Sequence, residues 1–497
     1  MFRRCGAFAR LAEVHVQVLT FDDRTDYPSV EARLRTQGTL AAGVDVVNLY
    51  DWLRAHSLPE GTTPVDVSAF APLLPDDQSV ETRSRDGRVL ARIRRADDGT
   101  LLQIDHLRED GTMVVSDRRD VKVQGSRGGR SVVLCDRSGN PMRSWTRIWG
   151  LYSAWLDVLT AGTPACMIVD SKTIARFVRH YRRPHVVTVH VVHASHRDAS
   201  GDIRLTRRDV LTHPESFDLI AVLSRRQASE LRNVVGRRRA SNLVVVRNGR
   251  GTDSGPLPRA TRDRRRGVVV ASLTRRKRVS HAIRAVQSVN RRAVGPVAVD
   301  IYGEGPSRAA LDDLAAGDPH VRLRGHRTDA RERFAEASFV LLTAHSEGNP
   351  LTLVEAMAAG CLPVAYDFDY GPADIIRHGR NGFLVPAGEL DGLADAVAGL
   401  VELPERRVQA MRARAARATL KFDDARVTRH WAALLHAAMA VKQLRASRRF
   451  TRLRGAIARH PALGTTARVL VRAMTELRAL PTAVRMSASQ TVLARRR

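Results

Sequence analysis

From Arg266 onward the chain repeats one rhythm: a short run of aliphatic and β-branched residues, a polar turn, a stretch with helical spacing, and another apolar run. RGVVVASL leads to SHAIRAVQSVN, PVAVDIYGEG to SRAALDDLAA, HVRLRGH to DARERFAEA, and SFVLLT to a helix opening near Pro350. A helix that carries the chain back across a sheet returns it in the same direction, so this alternation implies parallel strands with helices on both faces. A second run of the same kind comes earlier: CMIVD, KTIARFV, PHVVTVH, FDLIAVLS, RRQASELRNVV and NLVVVRNG. The Gly-, Pro-, Arg- and Ser-rich residues 247–266 read as a linker. The expected fold class is therefore α/β: two Rossmann-like, doubly wound domains facing a cleft, over residues 1–246 and 267–440.

Two segments break the rhythm. Residues 84–140 hold short β-type runs (RVLARIRR, LLQIDHLRED, TMVVSDRR, SVVLCDRSG) separated by Asp-Gly or Ser-Gly turns, which predicts an antiparallel β-meander inserted in the N-terminal domain. Residues 441–497 form a basic helical tail, with fourteen Arg or Lys against the single acid Glu476. Phe450, Leu453 and Ile457 share a helical face there, while Arg445, Arg448, Arg449 and Arg452 lie largely elsewhere. Two expectations stand side by side: an interfacial membrane helix, or a solvated basic tail.

The chain of 497 residues is 43% hydrophobic and 27% charged, which is globular composition with room for two cores. No run approaches 18 apolar residues, and the opening lacks the apolar core of a signal peptide, so a cytoplasmic location is expected, with peripheral contact at the inner membrane face through 441–497. Cys5, Cys135, Cys166 and Cys361 lack metal-ligand or disulfide spacing. The formal charge of +29 raises nucleic acid as a partner. Only five of the 81 basic residues are Lys, which points to base composition, and no nucleic-acid motif accompanies them. An anionic glycan or membrane partner fits the charge, and nucleic acid is not expected.

The densest chemistry lies in AHSEGNPLTLVEAMAAG, residues 344–360. Asn349 as N-cap and Pro350 at the first helical position would leave the amides of Leu351 and Thr352 free at a helix N-terminus, a place that favours anions. Glu355 would lie about one turn, roughly 5 Å, further along the same face. A diphosphate on the amides would put a ribose near Glu355, and Glu347 would face the other end of such a ligand. Two Glu flanking an ordinary surface helix is the plainer alternative.

These residues, with VVVASLTRRKRVSHAI, IYGEGP and HGRNGFLV, resemble the glycosyltransferase family 4 retaining enzymes of GT-B fold over about Gly267–Phe422. YDFDYGPADII, HVVHASH, LSRRQ and the meander are similar to the poly(glycerol-phosphate) alpha-glucosyltransferase and wall teichoic acid glycosyltransferase branch. The resemblance implies that Glu355 binds the ribose, Glu347 the donor-sugar hydroxyls, and Gly348, Asn349, Pro350, Leu351 and Thr352 the sugar and diphosphate. Lys277 would neutralise the leaving diphosphate. The Arg usual five positions earlier in the family is Ser272 here, so the partner charge falls to Arg275, Arg276 or Arg278. Gly303 belongs to the donor side. His190, expected at the end of its strand, would reach the donor sugar across the cleft with His193 beside it, and Asp374 stands where relatives have Glu.

The implied activity is transfer of glucose or N-acetylglucosamine from a UDP-sugar to a polyol-phosphate or other envelope glycan hydroxyl, with retention. The UDP-sugar is a co-substrate, and neither cofactor nor metal is required. The alternatives are a glycosyltransferase acting on a lipid-linked sugar, or a non-catalytic polyanion-binding protein on a truncated GT-B scaffold. Self-association through the meander is a further implication. The opening MFRRCGAFARLAEVHVQVLT reads as the end of a first helix followed by a second strand. The family's first strand and its Gly-rich loop are therefore expected to be missing, through a start codon placed too far downstream or a reduced acceptor side.

Overall fold

A computed structural model describes every residue except 63, 78, 121–128, 199, 252–261, 293–294 and 447–497. The chain divides into two compact units, Met1–Ala165 and Cys166–Arg497, so the expected linker at 247–266 falls inside the second. Among the described residues no helix is long and apolar enough to cross a membrane.

In the first unit the helix Phe2–Ala12 precedes two parallel strands, β1 (Val16–Thr20) and β2 (Val44–Asn48). Cys5, Val18, Leu40 and Val44 form their small core. Six strands follow in strict sequence order: β3 (Glu81–Arg85), β4 (Arg88–Arg95), β5 (Leu101–Leu107), β6 (Met113–Arg118), β7 (Ser131–Cys135) and β8 (Pro141–Trp145). Each pairs antiparallel with the next, as the turns predict. Three hairpins share one turn. Gly99, Gly111 and Gly139 sit at φ 79°, 87° and 87°, and each donates its N–H back three residues, to Ala96, Arg108 and Asp136. That is a type I turn closed by a left-handed residue, where glycine avoids the Cβ clash. The sheet extends one strand beyond the expected run on each side, because ETRSR and PMRSW are too polar to carry a strand signal of their own.

In the second unit, β9 (Ala165–Val169), β10 (Val186–Val192), β11 (Leu219–Val222) and β12 (Leu243–Val245) form a sheet of order β12-β11-β10-β9. A second sheet contains β13 (Arg266–Val270), β14 (Ala298–Tyr302), β15 (Val321–Gly325), β16 (Phe339–Leu342), β17 (Leu362–Asp367) and β18 (Phe383–Pro386), all parallel, in the order β15-β14-β13-β16-β17-β18. Its central strands β13, β16 and β17 read as largely apolar runs because both faces are covered, and Val268, Phe339, Val340, Val364, Leu353 and Met357 are all buried, whereas the edge strand β15 carries Arg322 and Arg324. The chain builds outward from β13 in one direction and from β16 in the other. Loops leaving the carboxyl ends of β13 and β16 therefore diverge and open a crevice, the usual ligand position in such sheets.

One expected helix is replaced. DARERFAEA forms only a single 3-10 turn, Glu332–Ala335, in which Phe334 enters the core while Asp329 pairs with Arg327 and Arg333. The helix Asp424–Ala446 runs into the expected tail. The remainder of that tail, including Phe450, Leu453 and Ile457, lies outside the described residues.

Candidate active site

The β13 loop runs through a 3-10 turn, Arg275–Lys277, into the helix Val279–Asn290, with Arg278 at φ 46° between them. It is braced from two sides. Thr343 Oγ1, at the end of β16, donates to the carbonyl of Arg278 at 2.8 Å, and the β14 loop packs beneath it. A Cβ on Gly303 would lie 1.8 Å from the Ala271 carbonyl oxygen, so only glycine permits that approach. Gly303 thus acts by letting its loop support the turn that carries the cations.

Those cations meet the β16 loop. Lys277 Nζ pairs with Glu347 Oε1, and both side chains are largely enclosed. Arg276 Nη1 donates to the Ser346 carbonyl at 2.7 Å and lies 3.4 Å from Glu347 Oε2. Arg278 Nη2 donates to His345 Nδ1 at 2.9 Å. Of the three arginines open to the partner-charge role, Arg276 shares the carboxylate with Lys277, Arg278 is engaged on His345, and Arg275 is exposed.

The entry to the next helix differs from the expected N-cap. The helix is Leu351–Ala358 and its N-cap is Pro350, with no side-chain cap bond. Pro350 has φ −75° and ψ 82°, and Leu351 N–H donates to the Asn349 carbonyl at 2.9 Å. This is an inverse γ-turn. The Leu351 amide, expected to be free for an anion, is therefore occupied, and Asn349 does not cap. Its Nδ2 is instead buried without a hydrogen-bond partner among the described residues. Glu355 is largely enclosed one turn on, 3.1 Å from Arg331 Nε, an exposed arginine with no sequence signal for this role.

Gly348 meets the first sheet's loop. A Cβ there would fall 1.5 Å from the His193 carbonyl oxygen, which makes this the tightest backbone approach in the site. His193 follows β10, with Nε2 2.5 Å from Asp170 Oδ1 at the end of β9. His190 departs from expectation: β10 continues two residues past it, because Val191 and Val192 pair with Ala221 and Val222. Its imidazole is consequently interior, with Nδ1 2.9 Å from the Val169 carbonyl, and burial pushes it down to about 4 against the opposing effect of that bond. The residue placed beside the Glu347 loop is His193.

A polar cluster missed in the sequence flanks this contact. Tyr370 is buried, its ring parallel to His196 at 5.7 Å, and its hydroxyl donates to Glu230 Oε2 at 2.5 Å. Arg197 Nε lies 3.0 Å from the same carboxylate, and Arg226 bridges Glu230 and Asp369. Burial raises the Glu230 carboxyl, but the Tyr370 hydroxyl and the two guanidiniums outweigh it and hold it below its ordinary value. Asp170 carried a usable signal, an acid at the carboxyl end of a parallel strand. Glu230 and Tyr370 meet only in three dimensions.

Comparison with known proteins identifies the region that holds this crevice. Residues 264–402 match the family of glycosyl transferases group 1. The chain is 31% identical over 249 residues to the exopolysaccharide phosphotransferase SCO2592 of Streptomyces coelicolor, covering 49% of this chain and 25% of that protein. It is 21% identical over 296 residues to the poly(glycerol-phosphate) alpha-glucosyltransferase of Bacillus subtilis, covering 58% and 43%. The chain thus spans less than half the length of these curated relatives. Solved structures extend the likeness across both units. A Staphylococcus aureus TarM mutant in complex with Fondaparinux, alpha-GlcNAc-glycerol and UDP superposes with a TM-score of 0.71 at 17% identity, over 87% of this chain and 95% of that one. The pneumococcal O-GlcNAc transferase GtfA with UDP and GlcNAc gives 0.60 at 18%, over 88% and 95%. The fold is GT-B.

Proposed function

We propose that this chain is a retaining hexosyltransferase that moves glucose or N-acetylglucosamine from a UDP-sugar to a hydroxyl of a polyol-phosphate or related envelope glycan. The observation that carries this is the convergence of Lys277, Arg276 and Glu347 at the β13 and β16 loop ends, with Glu355 one helical turn beyond. The reaction breaks the bond between the anomeric carbon and the diphosphate and forms one to the acceptor oxygen, whose proton passes to the leaving phosphate. Charge accumulates on that phosphate as the sugar becomes oxocarbenium-like. Cations fixed before the reaction stabilise it without reorganisation cost, which is where such sites gain most. Lys277 and Arg276 are placed for this, while Glu347 orients both cations and the sugar hydroxyls. Glu355 takes the ribose hydroxyls, with Arg331 at its edge.

The relative named for poly(glycerol-phosphate) glucosylation and the TarM complex with alpha-GlcNAc-glycerol support a polyol-phosphate acceptor. The test is UDP release from UDP-glucose and UDP-N-acetylglucosamine with glycerol- and ribitol-phosphate polymers. Lys277→Ala and Glu347→Gln should each lower transfer by about 100-fold or more, the scale of losing one charge-stabilising group. Normal transfer in both variants would overturn the assignment.

A further inference from the structure

A second cation-rich cavity shares no lining residue with the Lys277 and Glu347 crevice. It holds about 640 Å³, between the segment Pro372–Ile375, the turn to Asn381, the end of the helix Glu405–Thr419 and the start of the helix Asp424–Ala446. Arg377, Arg417, Lys421 and Arg426 line it, against one carboxylate, Asp374. That carboxylate is already engaged, since the Arg225 N–H donates to its Oδ2 at 2.7 Å.

Arg292, Arg308 and Arg333 are each paired with an acid. The guanidiniums of Arg377, Arg417 and Arg426 have no ion pair or hydrogen bond among the described residues. The walls are nevertheless ordered. Asn381 Oδ1 accepts the Arg377 N–H at 2.6 Å and its Nδ2 donates to the Ile375 carbonyl at 3.2 Å, while Lys421 Nζ donates to the Asp374 carbonyl at 2.7 Å. Like charges gathered in a partly enclosed space repel one another, and the electrostatics of the cavity favour a bound anion. Burial and the neighbouring Arg247 both push the Lys421 ammonium down, in the direction that a missing counter-charge produces. Guanidiniums favour oxyanions that can take two parallel hydrogen bonds, a carboxylate as well as a phosphate, over halides, and the additional acceptor oxygens of a phosphate ester suit it to bridging several of the four cations at once.

We infer that this cavity is a phosphoester-binding site, separate from the donor crevice and built from Arg377, Arg417, Lys421 and Arg426. Two sources share that chemistry: a small phosphate monoester, and the phosphodiester chain of a polyol-phosphate polymer. The inference does not rest on sugar transfer, because its readout is binding.

The experiment is calorimetric titration of the full chain with inorganic phosphate, with glycerol 1-phosphate and with a glycerol-phosphate oligomer. The Arg417→Gln/Arg426→Gln variant is compared with an Arg237→Gln/Arg238→Gln control that removes the same charge from another exposed place. Both pairs of side chains are exposed, so folding should survive, which circular dichroism checks. Binding should weaken by about tenfold or more in the cavity variant and stay near wild type in the control, as expected for losing two charge-assisted contacts. UDP binding should be unchanged in both. Weakening confined to the oligomer assigns the site to the polymer, and weakening of the monoester assigns it to small phosphates. Equal weakening in cavity variant and control, or no binding by the wild type, would overturn the inference.

Discussion

At the scale of single residues, the site depends on two kinds of contact, charge pairing and backbone approach. Gly348 is the sharper case. An alanine Cβ would overlap the His193 carbonyl, and backbone must move to relieve it. Gly348→Ala should therefore cost about 2 kcal/mol or more in chemical denaturation. His190 makes a pH prediction. Its folded-state value of about 4 lies below the ordinary 6.5, so between these pH values the unfolded chain binds the extra proton. The stability it contributes is complete above pH 6.5 and is lost as pH falls towards 4, by on the order of 3 kcal/mol. His196, also pushed down to about 4 by burial, acts in the same direction. His190→Gln should flatten the dependence of the denaturation midpoint on pH in that window, and an unchanged slope would contradict the buried, neutral imidazole. Lys277, Glu347 and Gly348 were legible as neighbours because they lie on two loops, and Glu355 because it lies in the helix that directly follows the second of them. His193 was legible only as a neighbour: strand length is set by the pairing of Val191 and Val192 with β11, which no local pattern records.

Among elements, the regular alternation of apolar runs and helical stretches was sufficient to place the strands of the parallel sheets, because burial on both faces leaves a continuous apolar signal in the central strands and the spacing supplies the edge strand β15. It was insufficient where a segment is short and polar. β3 and β8 are held by hydrogen bonding to neighbours within the meander, and the 3-10 turn at Glu332–Ala335 by one buried aromatic and a set of ion pairs. The start of the helix Leu351–Ala358 was misread because Asn-Pro suits an N-cap as well as a γ-turn, and side-chain identity alone does not choose between them. The meander's turns are testable in isolation from packing. A Cβ at Gly111 meets nothing within 4 Å, so Gly111→Ala would report only the left-handed backbone, φ 87°. The expected loss is about 1–2 kcal/mol by thermal denaturation. No loss would mean that the turn relaxes to another form.

At the scale of the whole molecule, the β13 and β16 loops of the second unit are proposed to form one wall of a nucleotide-sugar site. The fold class followed from element order, and the direction of the sheet placed the crevice at the carboxyl ends of its strands. The +29 charge is a property of the entire chain and gives a general affinity for polyanions that falls with salt, whereas a built site retains selectivity. The most direct measurement is therefore a UDP titration of the full chain by calorimetry at two salt concentrations, with wild type, Lys277→Ala and Glu355→Ala. Saturable binding to one site that persists at the higher salt and weakens by about tenfold or more in each variant is the predicted result. Absence of UDP binding, or affinity indifferent to both substitutions, would contradict it.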